Sequence, residues 1–386
     1  MPKDLLPVIK WTHQDEAFTD IAKGIRVIAD SMSNNKMKSL KPSYFDVPIS
    51  RNRFFTGRED VLLQLHEILQ SKNEIAITPG DKATALSGLG GVGKTQTVVE
   101  YAYRYQNEYS AVLWVFADGK ELLRSNFSGL LEVLGLKAEN IEDPIRAVQS
   151  WLCNNVNWLL IFDNAETLEL LSAARDLLPI TANGHVLFTT RAQATGNLAS
   201  VTIDCFEDDI GASLLLRRSK IVSIDYVTEE EVREKVSEAD WQTAIELVHE
   251  LGGLALAIDQ AGAYMEQTGC GLSGYLSRFR NNATEMLKKR GDFVHSSDHP
   301  EGVYKTFLLS LENAEKRHPL AGEILRDSAL NYSDGISEIL YSDCNPLELD
   351  KALAILKDYS LIRRIPEKQI FTVHRLLQTI IRDVCD

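Results

Sequence analysis

The chain has 386 residues, enough for two or three domains at about 150 residues each. Hydrophobic residues make up 44% and charged residues 25%, which excludes fibrous, low-complexity and disordered classes, and a net charge of −14 opposes attraction to nucleic-acid backbones or anionic lipid. Five scattered cysteines (Cys153, Cys205, Cys270, Cys344 and Cys385) form no CxxC pair or metal-spaced cluster, and no apolar run approaches the roughly 18 residues of a membrane span, so the chain reads as reduced and cytoplasmic.

Residues 5–11 (LLPVIKW) predict a short strand, and Phe18, Ile21, Ile25 and Ile28 mark a helix over 15–29. One strand and one helix make no core. The polar, proline-bearing stretch 31–53 then reads as a linker, so 1–30 look like the remnant of an N-terminal domain. From 54 to 207 the runs ATALSG, AVLWVFA, WLLIFD, HVLFTT and SVTIDC alternate with helical stretches, the pattern of a parallel α/β sheet. Over 208–300 only helices are expected, including Ala239–Leu251 and Leu254–Met265 around Gly252–Gly253. Over 301–386, helices near 302–312, 319–331 and 346–358, two β-like runs (LIRRI, IFTV) around Pro366 and a last helix from Arg375 suggest a winged helix.

The strongest motif is GLGGVGKT, residues 88–95, between a strand and a helix. Backbone N–H groups of Gly88, Gly90, Gly91, Val92 and Gly93 and the helix start at Gln96 suit phosphate oxygens. Lys94 reaches the β- and γ-phosphates, and the Thr95 hydroxyl suits Mg²⁺. The apolar strand ending in Asp163 places a carboxylate at the sheet edge for the same Mg²⁺. Its neighbour is Asn164, an amide that cannot take a proton, so fast hydrolysis is not expected unless Glu166 or another carboxylate substitutes. Arg191, ending HVLFTTR, is expected to report a γ-phosphate. Phe55, Gly57 and Arg58 open a helix carrying Leu62, Leu63, Leu65 and Leu69, where the glycine permits close approach of a flat ligand. The acidic run at Glu229–Glu231 with Glu234 and Glu238 reads as a solvated helix face, and Trp114 and Trp158 as core.

Taken together, FTGRE, GLGGVGKT, LLIFDN, LFTTR, GGLALA and TVHRLLQ occur in the order and spacing of the NB-ARC module, and residues 50–386 resemble that module of the STAND class, signal-transduction ATPases with numerous domains. The resemblance implies a P-loop domain, a helical ARC1-like domain and a winged helix closed over ADP, with exchange for ATP permitting opening and self-association, and weak ATPase activity at most. Leu254 and Ala255 match the family's GLPLA motif with alanine for proline. His374 matches the histidine of its MHD motif and is expected on the ADP β-phosphate, whereas the aspartate is Arg375. The segment WTHQDEAFTDIAKGIRVI resembles the end of bacterial TIR domains. An activating ligand would be read by a tetratricopeptide-like domain after residue 386. Two other readings are a winged-helix DNA-binding regulator and a dedicated ATP hydrolase. Seven basic and seven acidic residues in 340–386 leave no basic recognition face, and Asn164 weighs against the hydrolase.

Overall fold

A computed structural model describes residues 42–71, 83–136, 143–179, 183–192, 195, 197–226, 228–288, 302–331 and 335–385. The expected strand 5–11, helix 15–29 and TIR-like segment lie outside the described residues. Strands β1 (Tyr44–Phe45), β2 (Ala83–Gly88), β3 (Ala111–Phe116), β4 (Trp158–Asp163), β5 (His185–Thr190) and β6 (Ala199–Ile203) form one sheet in the order β1-β3-β4-β5-β2-β6, with every pairing parallel. Every residue of β2, β4 and β5 is buried, which is why these segments read as unbroken apolar runs.

Alternate residues feed two cores. Leu86, Val112, Leu159, Ile161 and Leu187 pack with α1 (Glu59–Ser71) and α2 (Lys94–Tyr105) on one face. Leu113, Val115, Leu160, Phe162 and Phe188 pack with α3 (Lys120–Val133), α4 (Pro144–Asn154) and α5 (Leu168–Asp176) on the other. The chain leaves β2 toward β3, returns through β4 and β5, and passes β2 to reach β6. The carboxyl end of β2 therefore lies where the winding changes side, the usual place for a ligand. One correction concerns the linker. Its reading ran to residue 53, yet Tyr44 and Phe45 pair with Ala111 and Val112 as the sheet's edge. A two-residue strand carries no period to detect.

The helices α6 (Asp208–Arg218), α7 (Glu229–Arg233), α8 (Glu238–Glu250), α9 (Ala255–Thr268), α10 (Leu272–Asn281) and α11 (Ala283–Lys288) follow. Their buried residues, such as Leu247 and Ile258, are continuous with the α1–α2 core, and so are Phe307, Leu353 and Leu377 further on. The last part contains α12 (Val303–Arg317), α13 (Pro319–Asn331), α14 (Pro346–Asp358) and α15 (Arg375–Cys385). An antiparallel sheet β7 (Ile336–Ser337), β8 (Ile362–Ile365) and β9 (Ile370–Val373), ordered β7-β9-β8, completes it. The expected pair of runs is β8 and β9, turned by Pro366–Lys368 with Gln369 left-handed, and β7 was not expected.

Candidate phosphate-binding site

Gly93 caps α2 in the left-handed region without a side-chain cap, and the first turn holds no acid, so the positive end of the helix dipole at Lys94, Thr95 and Gln96 meets no carboxylate of its own turn and suits an anion. Gly91, with φ at +80°, stands where a Cβ would meet the Leu256 side chain at 3.1 Å, so the loop packs closely on α9 and accepts no L side chain comfortably there. The Lys94 ammonium donates to the carbonyls of Gly88 (2.8 Å) and Leu89 (3.1 Å), folding back on its own loop. Burial, helped by the nearby Arg191 charge, pulls its pKa down to about 7 against the smaller opposing pull of Glu166 and Asp163.

Asp163, 5% exposed at the end of β4, accepts hydrogen bonds on one carboxylate oxygen from Thr95 Oγ1 (2.9 Å) and Thr189 Oγ1 (2.5 Å). Burial raises its pKa, and these hydroxyls oppose the rise by stabilising the anion. Asn164 sits at φ +68°, a backbone state asparagine tolerates, and its N–H donates to Thr189 Oγ1 at 2.8 Å. A hydroxyl beside a carboxylate is a hard oxygen pair, so Thr95 and Asp163 have the donor chemistry that suits Mg²⁺.

Arg191 joins this site to the last part of the chain. Its Nε lies 2.5 Å from Glu166 Oε1 as an ion pair whose N–H is not aligned for a hydrogen bond, and its Nη1 donates to Ser310 Oγ on α12. The Arg191 carbonyl accepts from Ser360 Oγ at 2.6 Å, just after α14. A Cβ on Gly90 would lie 3.2 Å from Thr306 and 3.4 Å from the Arg191 guanidinium, so phosphate loop, Arg191 and α12 meet at one point. Ser310 and Ser360, 119 and 169 residues from Arg191, carry no local signal that sequence reading could have found.

The other expected residues divide. Leu256 N–H donates to Gly91 O at 3.0 Å, Leu254 lies near Gly91 and Ala255 near Gly93, so the α9 start packs on the loop without the family's proline. Arg58 is buried, donates to Asp204 O (2.8 Å) and Val92 O (3.5 Å) and stacks on Phe206 at 4.0 Å. Phe55 lies beside Arg104. The face of Gly57, expected to admit a flat ligand, meets the Ile210 side chain instead.

His374 departs most from expectation. Its Nε2–H donates to Gly252 O at 3.1 Å, while Nδ1 accepts from Leu376 N–H at 3.3 Å, so both nitrogens are used by backbone. Burial, with a smaller contribution from Arg375, lowers its pKa to about 4 and keeps it neutral. Arg375, standing where the family has aspartate, donates to His249 O (2.5 Å) and contacts His249 Nδ1 (3.1 Å) at the end of α8, where helix carbonyls favour a cation.

No protein-family model matches the chain. A curated nucleotide-binding leucine-rich repeat (NLR)-like protein of Hyaloscypha variabilis is 27% identical, covering 97% of this chain, and the chain spans 39% of that relative's length. Among solved structures, a STAND protein with a tetratricopeptide repeat sensor from Pyrococcus horikoshii aligns with 88% of this chain and 44% of its own at 19% identity and a TM-score of 0.32. The Aeropyrum pernix ORC2 protein, solved as ADPNP and ADP complexes, aligns with 90% of this chain and 98% of its own at 12% identity and a TM-score of 0.45. No helix among the described residues is long and apolar enough to cross a membrane.

Proposed function

We infer that this chain is a nucleotide-binding module of the STAND, NLR-like class of P-loop ATPases, and we propose that it is a switch set by adenine nucleotide. ADP holds the helical and winged-helix parts closed on the phosphate loop, and ATP releases them for self-association. The observation that carries the reading is Arg191, which touches the face of Gly90 while its side chain and carbonyl hold Ser310 and Ser360. A γ-phosphate arriving at the loop competes for that guanidinium, because charge-assisted bonds to phosphate exceed a bond to a neutral hydroxyl. The ligand shifts the equilibrium only through that differential contact.

The N–H groups of α2 and Lys94 would hold the phosphates, with Thr95 and Asp163 on Mg²⁺, which screens phosphate charge when bound. The His374 clamp acts through the Gly252–Gly253 turn and α9 rather than by direct phosphate contact. In the whole protein, an effector before this module and a repeat domain after it would supply output and ligand sensing, as in a TIR, NB-ARC and tetratricopeptide arrangement used in immunity. Calorimetry tests the site. Lys94→Ala should lose at least ~30-fold in ADP affinity, about 2 kcal/mol for a buried charge partner, and an unchanged affinity would refute the phosphate loop.

A further inference from the structure

We propose that Glu166 is the general base of ATP hydrolysis in this chain, held idle by Arg191 until a γ-phosphate draws the guanidinium away. The inference rests on the nucleotide-binding reading above and goes beyond it. Among the described residues, Asp163, Glu166 and Asp118 are the carboxylates whose charges reach Lys94 or one another, and two of them are poorly suited. Asp163 has one oxygen occupied by both Thr95 and Thr189, the arrangement of a metal-shell group. Asp118, on the turn after β3, is exposed to solvent. Glu166 remains, its side chain 19% exposed against Arg191 at 17%.

Its position is fixed from both sides. Ala165 N–H donates to Thr189 O at 2.9 Å, extending the sheet edge by one residue. Thr167 then caps α5, with Oγ1 accepting from Leu170 N–H at 3.2 Å. Between these anchors Glu166 has little backbone freedom, and its own N–H turns back to Asn164 O at 3.0 Å. The left-handed Asn164 makes that turn and brings the residue three beyond Asp163, rather than the next one, to face Arg191. The Arg191 guanidinium that pairs with Glu166 also lies against Gly90, where a γ-phosphate would compete with the carboxylate for it.

Once released, the Glu166 carboxylate accepts a proton from the water that attacks the γ-phosphorus. The bond from that phosphorus to the bridging oxygen breaks with its electron pair left on ADP, Lys94 meets the new charge, and Glu166 returns its proton to solvent as phosphate departs. One residue thus reads the γ-phosphate and frees the base that removes it.

The test uses the full chain with Glu166→Gln, Glu166→Asp and Asp118→Asn. Three measurements are made: single-turnover hydrolysis of labelled ATP, ATP affinity by fluorescence, and the nucleotide released on denaturation after incubation with ATP. Glu166→Gln should hydrolyse at least ~20-fold more slowly, keep ATP affinity within about threefold and release ATP where the wild type releases ADP. Glu166→Asp should fall between, and Asp118→Asn should match the wild type. Equal hydrolysis in wild type and Glu166→Gln, or a tenfold loss of ATP affinity in Glu166→Gln, would overturn the assignment. A wild type that binds no ATP would overturn the nucleotide-binding reading along with it.

Discussion

On the proposed function, Lys94 couples nucleotide to protons. With burial holding its pKa near 7, a good part of the population is neutral at pH 7.5, and an arriving phosphate restores the charge. ADP binding at that pH should take up a substantial fraction of one proton, seen as a dependence of calorimetric enthalpy on the buffer's ionisation enthalpy. No buffer dependence would mean that Lys94 is already charged. His374 works in the opposite sense. Its folded pKa near 4 lies below the ordinary 6.5, so above 6.5 it contributes no pH dependence. Between 6.5 and 4 the unfolded chain binds a proton that the folded one refuses, and stability falls by up to about 2–3 kcal/mol, allowing for partial solvent access to the ring. Denaturation midpoints for His374→Gln should decline less than those of the wild type between pH 7.5 and 5. Parallel declines would show that other groups set the acid limit. A lysine closing a glycine loop and a histidine just after β9 stand out in the sequence, but not that the histidine spends both nitrogens on backbone.

At the scale of elements, the hinge between α8 and α9 is the sharpest constraint. Gly253 has φ +65°, and a Cβ there would lie 2.2 Å from Phe206 O, while Gly253 O accepts from Phe206 N–H at 2.8 Å. Gly253→Ala should cost at least ~2 kcal/mol, combining a left-handed alanine with a backbone clash, and should lower the thermal midpoint. A midpoint within 1–2 °C of the wild type would refute the close approach. Elements were readable where burial dictated composition. β2, β4 and β5 are buried on both faces and announce themselves as apolar runs, and α9 follows a glycine pair. The two-residue strands β1 and β7 are too short for any period and exist only because β3 and β9 offer free edges. Motifs located the loop, Asp163 and Arg191, since each lies at the end of such a strand or the start of such a helix. Ser310 and Thr306 on a helix face and Ser360 in the turn after α14 were invisible, because their hydroxyls become partners only through tertiary packing.

Across the whole molecule, one guanidinium spans the parts that must separate if nucleotide is to open the structure. Arg191 lies at the end of β5, its side chain is bonded to α12, which with the guanidinium flanks Gly90, and its carbonyl accepts from Ser360 just after α14. A single charged hydrogen bond of this kind contributes about 1.5 kcal/mol, close to tenfold in an equilibrium. Ser310→Ala removes it with little other harm, since alanine suits a helix and the lost hydroxyl otherwise bonds only Thr306 O. The decisive measurement is the dissociation rate of a fluorescent ADP analogue from wild type and Ser310→Ala at equal folded fraction. If Arg191 fastens the closed state around ADP, release from the variant should be about five- to tenfold faster. An unchanged rate in a folded variant would contradict a switch held shut through Arg191.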